Sequence, residues 1–496
     1  YARDPAARLR HVGAQLLDVS AGTLSNRNDG RIGVVASAAT GGGSDGGTGT
    51  GSGGGSEGGT GGGTTPGEGG TGGGTATPPL TPLAAGALNI ANALNNDGGR
   101  IDALGAVSIR AQAGLDNSGG KMGVTALKLQ GGDLRNIAGN LAVQDADLRA
   151  GSVDNSQGQF NIAGSFLLNA ATLLNRGGSI AHGGSAASTW TVAGAVDNSG
   201  GTLASNATAL RLQAGALTNA QGTISHAGTQ GLWLSTGNMD GRGGTVVTSG
   251  VLTLAAAAVD HRNATLSATQ ITLVADAFDN RAGTLLATGA DANILQVRGV
   301  LDNGGGTLAS NGDLTISASE LGNAAGTVQH AGEGTLAINA ATLAGHGGSL
   351  VSNGSLNITG KTTDLRDGTT SAQRIAISAD TLIAAGGQLA ATSTDVLKLQ
   401  VHQRLDNTGG TIGSNGALAL SAANFINDAG KLIAAGNEAS SIRVAQSLEN
   451  RSGTVSSNGA LQIDAGQLVN AGGSVVVAEG ADLSLMVGTL LDNSAG

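Results

Sequence analysis

From Asn96 to the end of the chain, a short cassette of the form Leu-x-Asn-x-x-Gly-x-Leu returns about every 21 residues. It reads Leu115-Asp116-Asn117-Ser118-Gly119-Gly120 in one unit and Leu301-Asp302-Asn303-Gly304-Gly305-Gly306-Thr307-Leu308 in another. It returns as Leu405-Asp406-Asn407-Thr408-Gly409-Gly410-Thr411-Ile412. A fixed period of this length specifies stacked, near-identical units and is incompatible with an ordinary globular core. Marking each unit by its cassette Asn gives twenty units, with Gly241, His261, Gly345, Asp367 and Ala384 standing in the Asn place in five of them. The residue three further on is Gly in all but two, so this Gly is the firmer anchor.

Large apolar residues keep fixed offsets from the cassette. Around Asn303 they are Leu301, Leu308, Leu314, Ile316 and Leu321; around Asn450 they are Leu448, Val455, Leu461, Ile463 and Leu468. Leu314-Thr315-Ile316-Ser317 alternates apolar and polar, which is strand periodicity, and no helical period survives from unit to unit. Strands this short cannot bury a face alone. They can if each unit is one coil stacked in parallel on the next, which predicts an all-β, parallel β-helix of about twenty coils of about 21 residues. Equivalent residues then form ladders. We expect a structural turn ladder of Asn117, Asn198, Asn303, Asn407 and Asn450, whose amides bond from coil to coil, with Gly120, Gly201, Gly306, Gly410 and Gly453 beside them. Asn and Gly are expected there because both tolerate left-handed backbone. At about 4.8 Å per coil, the rod would be roughly 95 Å long.

Residues 41–74 interrupt the pattern with a Gly, Ser and Thr run that has nothing to bury and is expected to be disordered. The pattern is present before it (Leu24, Asn26, Ile32) and resumes after it (Leu88, Ile90, Leu94, Asn96). This divides the chain into a first coil region (1–40), a loop or hinge (41–82) and a long shaft (83–496). The repeat weakens over 361–395, where Asp367 is followed by Thr370 instead of Gly, and a bulge or missing strand is expected there. Ala264, in the unit of His261, suggests a lesser irregularity of the same kind.

Composition narrows function by exclusion. The chain has 88 Gly but only 4 Phe, 2 Trp and 1 Tyr, so its burial rests on aliphatic residues. A net charge of -10 without a basic run disfavours nucleic acid and anionic membrane surfaces as partners. Cysteine is absent, which suits an exported chain. No stretch is long enough to insert directly in a membrane as a helix. The start at Tyr1, without a leader, suggests a piece of a longer protein.

Candidates for chemistry are few. His182, His226 and His330 fall seven residues after the cassette position, where other units carry Ser205, Ser310, Ser414 and Ser457. His182 and His226 belong to coils about 10 Å apart, too far to share a metal, and solvent-facing turn residues are the expectation. Asp before the cassette Asn reads as a turn former and not a calcium ligand, since the calcium-binding nonapeptide is missing. A glycan-cleaving β-helix enzyme would need facing carboxylates and aromatic subsites. Only Trp233 looks outward, while Trp190 is in phase with the core residue Val192. No catalytic residue, cofactor or metal is therefore assigned.

The cassettes Leu301–Leu308, Leu405–Ile412 and Leu448–Val455, each followed by a Ser-Asn-Gly turn and an alternating strand, resemble filamentous haemagglutinin repeats. These belong to the large exoproteins of two-partner secretion, which include contact-dependent growth inhibition proteins. The resemblance covers 83–496 and extends to 14–36. It implies a right-handed β-helix, export through an outer-membrane two-partner secretion transporter, and display outside a Gram-negative cell. It implies a shaft that mediates adhesion to a host or bacterial cell-surface receptor, or one that carries a toxic tip towards other cells. The family's secretion domain and a terminal toxin have no match within the chain.

Overall fold

The structure is a computed structural model and describes residues 11–12, 16–35, 80–81 and 85–495. The Gly-rich run 41–74 lies outside the described residues. Every described element is a strand or a turn, and the main sheet is parallel throughout. The coil of Asn303 shows the plan. A four-residue turn, Asn303 to Gly306, leads into the short strand Thr307–Ser310, and a second turn leads into the longer strand Leu314–Gly322. Asn323 then begins the next coil. Many counterparts of the long strand show a register shift partway along their length, as between Ala422 and Asn424.

Burial alternates along each strand. Thr307–Ser310 runs half-buried, buried, half-buried, buried, as a pleated strand must when one side faces a core. The five predicted apolar positions of this coil, Leu301, Leu308, Leu314, Ile316 and Leu321, are all buried. Stacking turns each into a column. Ile316 pairs with Ile338, Ile338 with Ile358, and Ile358 with Ile377. One continuous aliphatic core results, running the length of the rod. Near its first third it holds aromatic rings: Phe166 packs at 5.6 Å from Phe160 and 5.1 Å from Trp190. Trp190 is buried as expected, and its indole N–H is satisfied by the Ser188 hydroxyl at 3.0 Å.

Residues on the two sides of the insertion are neighbours in the stack. Leu16–Ala21 pairs in parallel register with Ala85–Ile90, and Ile32 pairs with Ile101. Val34–Val35 and Leu80–Thr81 form a short antiparallel pair between these coils.

Of the two irregularities expected at 361–395, the missing strand is corrected, while a register shift of the bulge kind is present between Ala379 and Thr381, as in many other coils. The strand Thr369–Ile383 is fifteen residues long and keeps its pairing with both neighbours. The sequence pattern registers this unit on Asp367, but its ladder place belongs to Leu365. The Leu365 N–H bonds Ile383 O at 2.7 Å, as each cassette Asn bonds its next coil, and Gly368 closes the turn. Asp367 is the left-handed third residue, at φ 54°. With that register no short step remains and no strand is missing. The coil of His261 is likewise regular, with Thr265 paired in register to Thr245.

Candidate functional site

The residues singled out by the repeat converge on one corner of the rod. Asn117 is fully buried, and its side-chain Nδ2 donates to Asn136 Oδ1 at 2.7 Å. The same nitrogen also reaches the backbone oxygens of Gly120 and Asn140, while its Oδ1 accepts from Asn96. A buried amide costs free energy unless its hydrogen bonds are made, and stacking makes them here. The ladder runs from Asn26 and Asn96 through Asn198 to Asn219, again from His261 through Asn303 to Asn323, and again from Asn407 through Asn450 to Asn493. Asn26 to Asn96 closes at 2.7 Å across seventy residues of sequence. The breaks fall at Gly241 and at Gly345, Leu365 and Ala384. At Gly241 and Gly345 neighbouring side chains close in, Met239 Cε over the first and Leu365 over the second.

The glycines beside the ladder are needed for a different reason from the one expected. Gly120, Gly201, Gly306, Gly410 and Gly453 do not have positive φ. A Cβ on Gly306 would sit 2.2 Å from Asn280 O and 2.8 Å from Asn303 Oδ1. The left-handed residue is the one before it, such as Gly305 at φ 62°, and several units carry Ala, Gln or Ser there. The cassette Asn itself is not left-handed either; it is present for its amide. Ala264 is the exception that has a Cβ. It occurs where neither its own coil (His261) nor the coil before it (Gly241) presents an Asn side chain.

Asp before the cassette Asn acts as a turn former. Asp302 Oδ1 accepts the Gly304 N–H at 2.9 Å, and Asp406 does the same for Thr408. Spacing alone gave no warning of the ion-pair ladder outside this corner. Arg242 meets Asp240 at 2.7 Å and Asp260 at 3.6 Å, Arg262 meets Asp260 and Asp279, and Arg281 meets Asp279 and Asp302. Hydrogen bonds from the guanidinium groups hold the carboxyls of Asp240, Asp260 and Asp279 below the usual range.

His182, His226 and His330, expected at the surface, are buried at a second interior corner. His182 Nε2 lies 2.9 Å from Gly164 O, and Nδ1 lies 3.0 Å from Ser205 Oγ. A carbonyl only accepts, so Nε2 carries the hydrogen and Nδ1 accepts from the hydroxyl. His226 repeats this with Ala207 O and Thr248 Oγ1. His330 meets Ser352 Oγ at 2.9 Å. The surface expectation failed because the seventh residue ends a strand whose last side chain points inward, with a burial pattern shared by Ser205 and Ser310. Burial pushes the pKa of all three down, and that of His261 too, so these rings are neutral at neutral pH.

Trp233 is half-buried and faces outward, but it is already covered. The Arg211 guanidinium lies 4.3 Å from its ring centroid, and its ring edge rests over Gly231. A groove of about 620 Å³ is lined by Ser421, Arg443, Val444, Asp464 and Met486, and another of about 510 Å³ by Val124, Val143, Gln144, Asn161 and Ile162. The first holds a single carboxylate and the second none, so neither offers a general acid and base pair. Among the described residues, no three His, Asp or Glu side chains are placed to share a metal ion, and no helix is long and apolar enough to cross a membrane.

The fold and its interior ladders define a parallel β-solenoid, a rod built by repetition. The haemagglutinin repeat model matches eight overlapping segments: 83–144, 130–200, 185–243, 232–296, 290–334, 331–400, 392–441 and 438–495. The chain therefore belongs to the haemagglutinin repeat family, a structural, adhesin-type family of secreted, surface-exposed proteins. No curated protein and no solved structure matches the chain.

Proposed function

We propose that this chain is the shaft of a surface-displayed exoprotein, exported through an outer-membrane two-partner secretion transporter, that holds a terminal adhesive or effector domain away from the cell. The unbroken parallel stack carries this reading. From Ala85 to Asp492 each coil pairs with the next, so chain length converts directly into reach. The family's relation to two-partner secretion supports the export route. Whether the tip adheres to a host or bacterial receptor or inhibits a neighbouring cell depends on what the shaft carries, since either role needs the same rod.

The test is to shorten the rod without breaking its register. Deleting residues 303–406 joins Asp302 to Asn407, which then stands in the place of its equivalent Asn303, and removes five coils. By the strand spacing, the particle should shorten by roughly 24 Å in electron micrographs. Cell-to-cell binding or killing by the full-length exoprotein should decline with length. Complete loss of receptor binding by the isolated shaft after this deletion would instead favour a shaft surface that is itself the binding module.

A further inference from the structure

The rod has two interior polar corners, and their interruptions are distributed unevenly. At the first corner the Asn ladder lapses at Gly241, Gly345, Leu365 and Ala384. At the second, side-chain bonds link His182 to Ser205, His226 to Thr248 and His330 to Ser352. Where the first corner lapses at Gly241, the second is bonded through Thr248, and where it lapses at Gly345, Ser352 takes the bond from His330. Where the second lapses at Ala268 and Ala287, the first is intact through His261, Asn280 and Asn303. Among the described residues, only the coils of Leu365 and Ala384 lapse at both, because their second-corner residues are Ala372 and Ala391.

Core packing weakens in the same place. The column Leu343, Thr363, Leu382 places a Thr between two leucines, and so does the column Leu350, Thr370, Leu389. Both threonines are buried, and the Thr363 hydroxyl has no hydrogen-bond partner. Just above, Asn407 Oδ1 is also unpartnered, since Ala384 below it offers no donor. Each such group gives up its bonds to water for nothing in return. The backbone ladder continues through these coils, so they form a weakened joint and not a gap. In a stacked array, cooperativity passes only through nearest-neighbour interfaces, and one weak interface divides it.

We propose that the segment 362–391, from the end of the strand before Leu365 into the coil of Ala384, is a yielding seam that divides the rod into two cooperative blocks, one on each side. Under tension or denaturant the rod gives way there first, and each block keeps its own structure. Hydrogen exchange followed by mass spectrometry on the whole chain, over a urea series below the main transition, tests this. Amides of 365–391 should exchange at least tenfold faster than those of 301–344 and 405–470. A Thr363→Leu, Thr370→Leu, Ala384→Asn variant, which fills both columns and gives Asn407 a donor, should remove that difference. Uniform protection from 301 to 470 in the unmodified chain, or earliest exchange at the coil of Gly241, would overturn the seam whether or not the variant folds. So would a folded variant that leaves the difference unchanged.

Discussion

Asn303 donates its side-chain N–H to Asn323 Oδ1 at 2.8 Å, and neither residue is exposed to solvent. The bond joins two coils at a point where no water can replace it. Replacing Asn303 by Ala strands the Asn323 oxygen and opens a small void, at a cost of about 2–3 kcal/mol. The loss should appear as faster hydrogen exchange in the coils of residues 280–345, with distant coils unaffected. An unchanged exchange pattern would mean that the amide ladder follows from stacking and contributes nothing to it.

Gly305 and Gly306 are adjacent but should respond differently to a methyl group. Gly305 has φ 62° with open space around its Cβ position, so Gly305→Ala should cost about 1 kcal/mol, the ordinary penalty for a left-handed Ala. Gly306→Ala drives a Cβ into Asn280 O and should cost several times as much. Comparing the urea midpoints of the two variants checks this, and equal midpoints would refute the steric account.

Acid should weaken the rod through its buried histidines. Burial lowers the folded-state pKa of His182, His226, His261 and His330 below the ordinary 6.5, so below that pH the unfolded chain binds more protons than the folded one. Stability is full above about pH 6.5 and is lost as the pH falls through the window between the ordinary and the lowered values. His226→Ser places at that position the residue that other coils already use. It should lessen the difference in urea midpoint between pH 7.5 and pH 5, and an undiminished difference would assign the acid sensitivity to the carboxylates.

The Arg–Asp ladder outside the turns should matter far less than the Asn ladder inside them. Its arginines are exposed, and water and salt screen such pairs. Arg281→Gln should leave the urea midpoint unchanged within error, at low and at moderate salt alike. A clear, salt-sensitive drop would show that the pairs act together as a network.

Much of this architecture was legible because a solenoid repeats its local rules. Leu301, Leu308, Leu314, Ile316 and Leu321 identified themselves by offset, and the Asn ladder followed from a buried amide's need for partners. His182 looked like a turn residue because the turn that follows it dominates the local sequence, yet strand alternation aims it inward. Asp367 stands out in the sequence as the ladder residue because it resembles Asn, while Leu365 occupies the place. The interior corner can hold a buried apolar side chain, but there the amide bond to the next coil is lost.

The sequence by itself determined the period, the strand alternation and the core columns. All of these depend on residues within one coil, and repetition made them unmistakable. Tertiary structure alone decided what lies between coils: Gly306 excludes a Cβ because Asn280 O is in its way, Ser205 bonds His182, and Asn26 bonds Asn96 across the insertion. The physical reason is distance. Coils about 4.8 Å apart set every one of these contacts, and that spacing exists only once the chain has wound and stacked.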